Sequence, residues 1–215
     1  NRARELFLCI VGHPDGLRKE QIGLLFWPDH SPERLNGIFR STMYRVRRAI
    51  FPEFVLFDEE VGVYRFNRQL DYWYDVEEFE RLLQRGEETD ADARANYYEQ
   101  AIALYTGDYL EDCLDDWAQM ERERLQQRLL AALSWLGDHR LAKGFPAAAL
   151  DHYRRILTID PYREEIHRQV MRCYLQMNDR AAAARQYREC VRLLWEDLRV
   201  APARETQALY KEMAA

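Results

Sequence analysis

Arginine, asparagine, serine and tyrosine recur at helical spacing within SPERLNGIFRSTMYRVRRAI, residues 31–50, and together they suit polar contact with a polyanion. At about 100° per residue, Leu35, Ile38, Phe39, Thr42, Met43, Val46, Ala49 and Ile50 fall on one side of a helix. Asn36, Arg40, Ser41, Tyr44, Arg45, Arg47 and Arg48 fall on the other, and no carboxylate stands among them. Five arginines against Glu33 give the segment a charge of +4, inside a chain whose net charge is −6. Guanidinium groups fit phosphates and the guanine edge, an amide reads a base, and a hydroxyl or phenol bonds a phosphate. A solvated face that is merely rich in arginine is the alternative, and the neighbouring elements have to decide.

Those neighbours begin with an apolar-striped helix over residues 2–11, closed by Gly12, His13, Pro14, Asp15 and Gly16. A short helix over residues 17–27 stops at Pro28. Ser31 is then expected as the N-cap of the basic helix, with Pro32 in its first turn. Two β-rich runs follow, residues 54–57 and 61–66, separated by Asp58, Glu59 and Glu60 with Gly62 easing the turn. Helix, helix, long basic helix and hairpin is the order of a winged helix-turn-helix.

Beyond residue 70 the chain changes character. The first 70 residues carry a net charge of +2 and the remainder −8, an asymmetry the overall value hides. Asp75-Val76-Glu77-Glu78 starts a helix with Phe79, Leu82 and Leu83 as its apolar stripe, and residues 86–92 are a polar loop or weak linker. From Ala93 onward everything has helical period. Tyr153 recurs as Tyr187, Leu157 as Val191 and Ala148 as Ala182, each 34 residues later, and Gly144-Phe145-Pro146 matches Asn178-Asp179-Arg180. That is the tetratricopeptide period. Asp160-Pro161 is read as opening the second helix pair, and residues 93–105 with 117–143 as an earlier, more divergent pair.

Other chemistry is poorly supplied. The five histidines are dispersed, and neither HExxH, GxSxG nor a glycine-rich phosphate loop occurs. Asp115-Asp116-Trp117 is better read as helix capping than as a metal site, and Tyr72-Trp73-Tyr74 as packing between domains rather than a base-stacking platform. Cys9, Cys113, Cys173 and Cys190 form no CxxC pair and read as reduced, buried thiols of a cytoplasmic protein. No run of 18 apolar residues exists and no signal peptide opens the chain, so no membrane association is expected. Because residue 1 already lies in an amphipathic helix, the chain is expected to belong to a longer protein. An enzyme is not expected, nor a cofactor or metal.

Gly107-Asp108-Tyr109-Leu110, Asp116-Trp117 and Glu121-Arg122-Glu123-Arg124-Leu125 resemble the bacterial transcriptional activator domain of SARP-type regulators. The stretch 198–210, LRVAPARETQALY, is similar to that domain's closing signature, with Arg199 and Ala201 in place of its usual Gly and Glu. Asn36, Arg40 and the 46–50 ending VRRAI are similar to the recognition helix of the OmpR-type winged helix that precedes it. The strands that usually precede the first helix there are missing, and the acidic triplet 58–60 stands where phosphate contact would prefer neutral or basic groups.

The expected architecture is mainly α: a winged helix-turn-helix with a β-hairpin wing over residues 1–70, then an all-α tetratricopeptide-like domain over 71–215. The resemblance implies a transcriptional regulator, expected to be an activator, that docks on double-stranded promoter DNA. Its helical domain would support a homodimer or contact RNA polymerase. Asn36, Arg40, Ser41 and Tyr44 are expected at base edges or nearby phosphates, and Arg45, Arg47, Arg48 and Arg65 at phosphates. The rival is a scaffold whose winged helix binds protein and whose repeats hold a peptide or regulatory domain.

Overall fold

The computed structural model describes residues 1–214, with side chains through residue 213. It divides into two compact units: residues 1–74 together with 107–125, and residues 75–106 together with 126–215.

In the first unit, α1 (Arg2–Val11), α2 (Lys19–Phe26) and α3 (Pro32–Ala49) precede a hairpin of β1 (Val55–Asp58) and β2 (Val63–Phe66). The strands are antiparallel, with Val55 opposite Phe66 and Asp58 opposite Val63. The core is built from Leu6, Cys9 and Ile10 of α1, Ile22 and Phe26 of α2, Phe39, Met43 and Val46 of α3, and Val55 and Phe66. The expected helix over 17–27 starts two residues late. Leu17 is instead extended and exchanges backbone hydrogen bonds with Tyr64, becoming a one-residue third strand beside β2. Ala49, placed on the apolar side by periodicity, is exposed, because the last turn of α3 outruns the core.

Residues 107–125 return to this unit, and here the SARP-like motif acquires its physical meaning. Trp117 is buried with its ring 5.6 Å from that of Phe26. Arg122 donates to the carbonyls of Tyr109, Leu110 and Cys113, holding a turn in which Leu110 takes the left-handed φ of 46°. Arg4 grips Asp112 at 2.6 Å, and Arg2 pairs with Asp115. The Asp115 side chain therefore binds Arg2 and the Trp117 indole, and only its backbone carbonyl receives the first amides of α6. Tyr72 and Tyr74 pack within the same unit, on Phe66 and Tyr109, while Trp73 is exposed.

The second unit is a helical repeat: α4 (Asp75–Glu87), α5 (Ala91–Leu104), the greater part of α6 (Asp116–Ala142), α7 (Pro146–Ile159), α8 (Glu164–Gln176), α9 (Arg180–Leu193) and α10 (Arg204–Ala214). The 34-residue period holds down to single hydrogen bonds. Gly144 and Asn178 both adopt left-handed φ, +79° and +59°, and terminate their helices in the same way. Phe145 N–H bonds the Arg140 carbonyl, and Asp179 N–H bonds the Tyr174 carbonyl. A Cβ on Gly137 would lie 2.5 Å from the Tyr153 ring, so this helix pair closes only over a glycine. Gly86 does the same for Tyr98 at 2.7 Å, which makes α4 and α5 a tight pair and turns the expected linker over 86–92 into helix and turn. Asp160-Pro161 does not open a helix. Asp160 ends α7, and α8 starts at Glu164, because Asp160 binds the Tyr162 amide and the Arg163 guanidinium instead.

Candidate nucleic-acid interface

α3 is fixed from below by Phe39, Thr42, Met43 and Val46, all buried, with the Phe39 ring 5.0 Å from that of Tyr64. Gly23 of α2 admits Leu35, whose methyl group would sit 2.5 Å from any Cβ there, so α2 and α3 cross closely. Ser31 is the N-cap by backbone geometry and Pro32 stands in the first turn, as the sequence implies, although the serine side chain makes no capping bond.

The opposite face is open. Asn36, Arg40, Ser41, Tyr44, Arg45, Arg47 and Arg48 are all exposed, Tyr44 at 65 %. Among the described residues, none of Arg40, Arg45, Arg47 and Arg48 has a carboxylate partner. Gly37 lies on this face, and a Cβ there would meet nothing within 4 Å. Two of the polar groups are partly engaged: Asn36 Oδ1 accepts from Lys19 Nζ at 2.9 Å, and Ser41 Oγ donates to the Ile38 carbonyl at 2.9 Å. Asn36 therefore offers its amide N–H groups outward more readily than its oxygen. Arg47 and Arg48 also complement the partial negative charge at the end of α3. Sequence reasoning missed Lys19. Its signal is the Arg18-Lys19 pair at the start of α2, which the helix-turn-helix brings beside the first half of α3.

Arg65 is elsewhere. It lies on β2 and is ion-paired with Asp58 at 2.6 Å, so a phosphate would have to compete with that carboxylate. Asp58 also receives the amides of Glu60 and Val61, which shapes the wing tip and leaves Glu59 and Glu60 exposed.

Other reactive groups are chemically quiet. Burial pushes the thiols of Cys9 and Cys190 up to about 12 and that of Cys173 to about 11, so they stay protonated at neutral pH. Glu5, Cys113 and Asp115 come together, but Arg2 contacts both carboxylates, and this cation already supplies the countercharge. His167 is buried, its Nε2–H donating to the Pro161 carbonyl at 2.8 Å while Nδ1 accepts from Gln186 at 2.7 Å. Among the described residues, no helix is long and apolar enough to cross a membrane.

The closing stretch is also structural. The Glu164 carboxylate accepts from the Ala203 amide and from the Thr206 hydroxyl, both at 2.8 Å, and Arg168 donates to that hydroxyl at 2.9 Å. Tyr210 stacks on Tyr187 with centroids 4.0 Å apart. Arg199 occupies a left-handed conformation, φ 58°, at the end of the π-helical turn 194–198, which is why a glycine suits that place better.

Comparison with known proteins agrees with this architecture. The family described as the bacterial transcriptional activator domain matches residues 74–214. No curated protein sequence matches the chain. A solved structure of Mycobacterium tuberculosis EmbR in complex with a low affinity phosphopeptide has the same fold, with a TM-score of 0.79 at 17 % identity. The likeness covers 100 % of this chain and 59 % of that one, so this chain spans less than two thirds of its length. With the domain's signature residues holding its turns and helix ends, and the match covering most of the sequence, the chain belongs to the bacterial transcriptional activator domain family of SARP-type transcriptional regulators.

Proposed function

We propose that the protein is a transcriptional activator that binds double-stranded promoter DNA by seating α3 in the major groove. The observation that carries this reading is the exposed, carboxylate-free face of α3, where Arg40, Arg45, Arg47 and Arg48 have no ion-pair partner among the described residues. Asn36, Arg40 and Tyr44 face base edges, with Ser41 at a nearby phosphate, and Gly37 lets the groove wall approach the helix backbone. Arg45, Arg47 and Arg48 neutralise phosphates, while Arg65 contributes least because Asp58 holds it. The helical repeats, with exposed Trp195, Leu198 and Val200, contact a protein, either RNA polymerase or a second copy of the chain.

A salt series of binding to duplex DNA tests the reading. Removing a phosphate-only arginine lowers the log–log salt slope by about 1, whereas losing a bidentate arginine–guanine contact costs about 1–3 kcal/mol at one base pair. Binding that is independent of salt, or equal in Arg40→Ala and in Arg47→Ala/Arg48→Ala, would sink it.

The rival, a winged helix that binds protein, draws its support from the acidic wing tip and the acidic chain. Reporter transcription from a bound promoter separates the two readings.

A further inference from the structure

α9 departs from the charge of its own half of the chain. Residues 180–193, RAAAARQYRECVRL, hold four arginines and one glutamate, a charge of +3 in the part beyond residue 70 whose balance is −8. At about 100° per residue, Arg180, Arg185, Arg188 and Arg192 fall within about 140° of arc, and all four are exposed. Arg192 is neutralised by Glu189 and Glu196, at 2.7 and 2.5 Å. Arg180 and Arg185 have no hydrogen-bond or ion-pair partner among the described residues, and Arg188 reaches only the Ala184 carbonyl at 3.3 Å. Three guanidinium charges are thus left without a carboxylate, spread over about 12 Å of helix axis.

The repeat itself does not require them. One period earlier, α7 carries Asp151 where α9 has Arg185, and Pro146 where α9 has Arg180. Arg154, at the place of Arg188, is committed to the Tyr174 hydroxyl at 2.6 Å. α9 packs through Ala182, Ala183 and Cys190, which lie away from the arginine face. Past Arg192 the surface turns apolar: Trp195, Leu198 and Val200 are 57 %, 49 % and 46 % exposed, with Arg199 lying 5.9 Å over the Trp195 ring. A basic stretch is followed along the chain by an apolar one.

We infer that this surface seats an acidic segment of a partner protein that ends in apolar residues. Its carboxylates meet Arg180, Arg185 and Arg188, and its apolar residues pack on Trp195, Leu198 and Val200. The inference rests on the proposed contact of the repeats with a protein and names the chemistry of that partner. DNA is the wrong occupant, since a duplex backbone has nothing apolar to cover Trp195 and Leu198. A second copy paired symmetrically through α9 would set arginine against arginine. Charge supplies the selectivity, and the tryptophan supplies a desolvated anchor.

The test uses the whole chain and three acetylated dodecapeptides ending in two leucines, their other residues being glutamate and alanine, glutamine and alanine, or lysine and alanine. Backbone amide NMR and titration calorimetry are the readouts. The glutamate peptide is expected to shift the amides of residues 180–200 and to bind at least tenfold tighter than the glutamine peptide in low salt. The lysine peptide should not bind. Arg180→Ala/Arg185→Ala/Arg188→Ala should abolish the preference for glutamate with circular dichroism unchanged. Arg185→Glu/Arg188→Glu should turn the preference toward lysine, and Arg40→Ala should leave it intact. Equal binding of the glutamate and glutamine peptides, absence of binding at millimolar concentration, or shifts centred on α3 overturns the inference. So do shifts of the α9 amides produced by duplex DNA or by self-association. Reporter transcription in Trp195→Ala keeps the two readings apart. If the glutamate preference is absent but transcription falls, the acidic chemistry is wrong and the protein contact of the repeats stands; if transcription is also unchanged, that contact is wrong too.

Discussion

Arginine serves two different purposes in the two units. In the helical repeats most of it is spent on the fold, with Arg180, Arg185 and Arg204 left exposed and, among the described residues, without a partner. Arg155 donates to the carbonyls of Ile102 and Tyr105 at the end of α5, and Arg94 to those of Gly86 and Glu87 while lying over Trp135. Arg163 holds Asp160, Arg168 holds Thr206, and Arg192 bridges Glu189 and Glu196. On α3 the same residue type is left unspent, at Arg40, Arg45, Arg47 and Arg48. A guanidinium that already satisfies orphan helix carbonyls has little left for a ligand, whereas one without a partner keeps its full attraction for phosphate. Charge composition alone points the same way only faintly; the partner of each arginine makes the distinction.

The sharpest way to break this contrast is to remove α3 arginines. Arg40→Ala/Arg47→Ala/Arg48→Ala should cut DNA affinity by about a hundredfold or more in low salt and flatten the salt slope by about 2 to 3. Its melting temperature should stay within about a degree or two, since exposed, unpaired side chains contribute little to stability. Arg155→Ala should do the reverse, costing about 1–3 kcal/mol in denaturant unfolding through two orphaned carbonyls while DNA affinity holds. If the first variant unfolds or the second loses DNA, the division of labour is wrong.

Smaller changes sharpen it. Arg199→Gly relieves a left-handed conformation and should stabilise the repeat unit by about 1 kcal/mol, read as a higher denaturation midpoint. Gly37→Ala should also stabilise, by up to about 1 kcal/mol from helix propensity, yet weaken DNA binding, because it adds a methyl group to the face meant for the groove. A Gly37→Ala variant that binds DNA as well as the native chain would show that the backbone there is not closely approached. The smallest expected effect is on pH. Burial lowers His167 below its usual 6.5, so the unfolded chain takes up the proton first. The stabilisation is complete above about that value and declines as the pH falls below it; His167→Gln should flatten this decline in acid unfolding curves.

Much of this was legible from local pattern. The 34-residue repeat, the helix-turn-helix order, the hairpin and the two faces of α3 all follow from spacing along the chain. Other features escaped it. Leu17 looked helical because it begins an apolar-periodic run, yet pairing with Tyr64 in the hairpin captures it as strand. Residues 86–92 looked like a linker because they are polar, but Gly86 is there to admit Tyr98. Asp160-Pro161 had the signature of a helix start, and the pull of Arg163 on Asp160 moved the start to Glu164. Lys19 was invisible as a site residue because its neighbour Asn36 is 17 residues away.

The sequence by itself determined most of the helical segments, which face of α3 is charged, and that the acidic and basic halves differ, because these depend on neighbours within a turn or two. Only the tertiary structure decided which charges are free. Arg4 finds Asp112 and Arg155 finds Ile102 across long stretches of chain, while Asp58 takes Arg65 through the hairpin register and the arginines of α3 find no carboxylate among the described residues. A charge becomes available to a ligand when folding brings it no counterion, and that depends on distances in space that spacing along the chain does not encode.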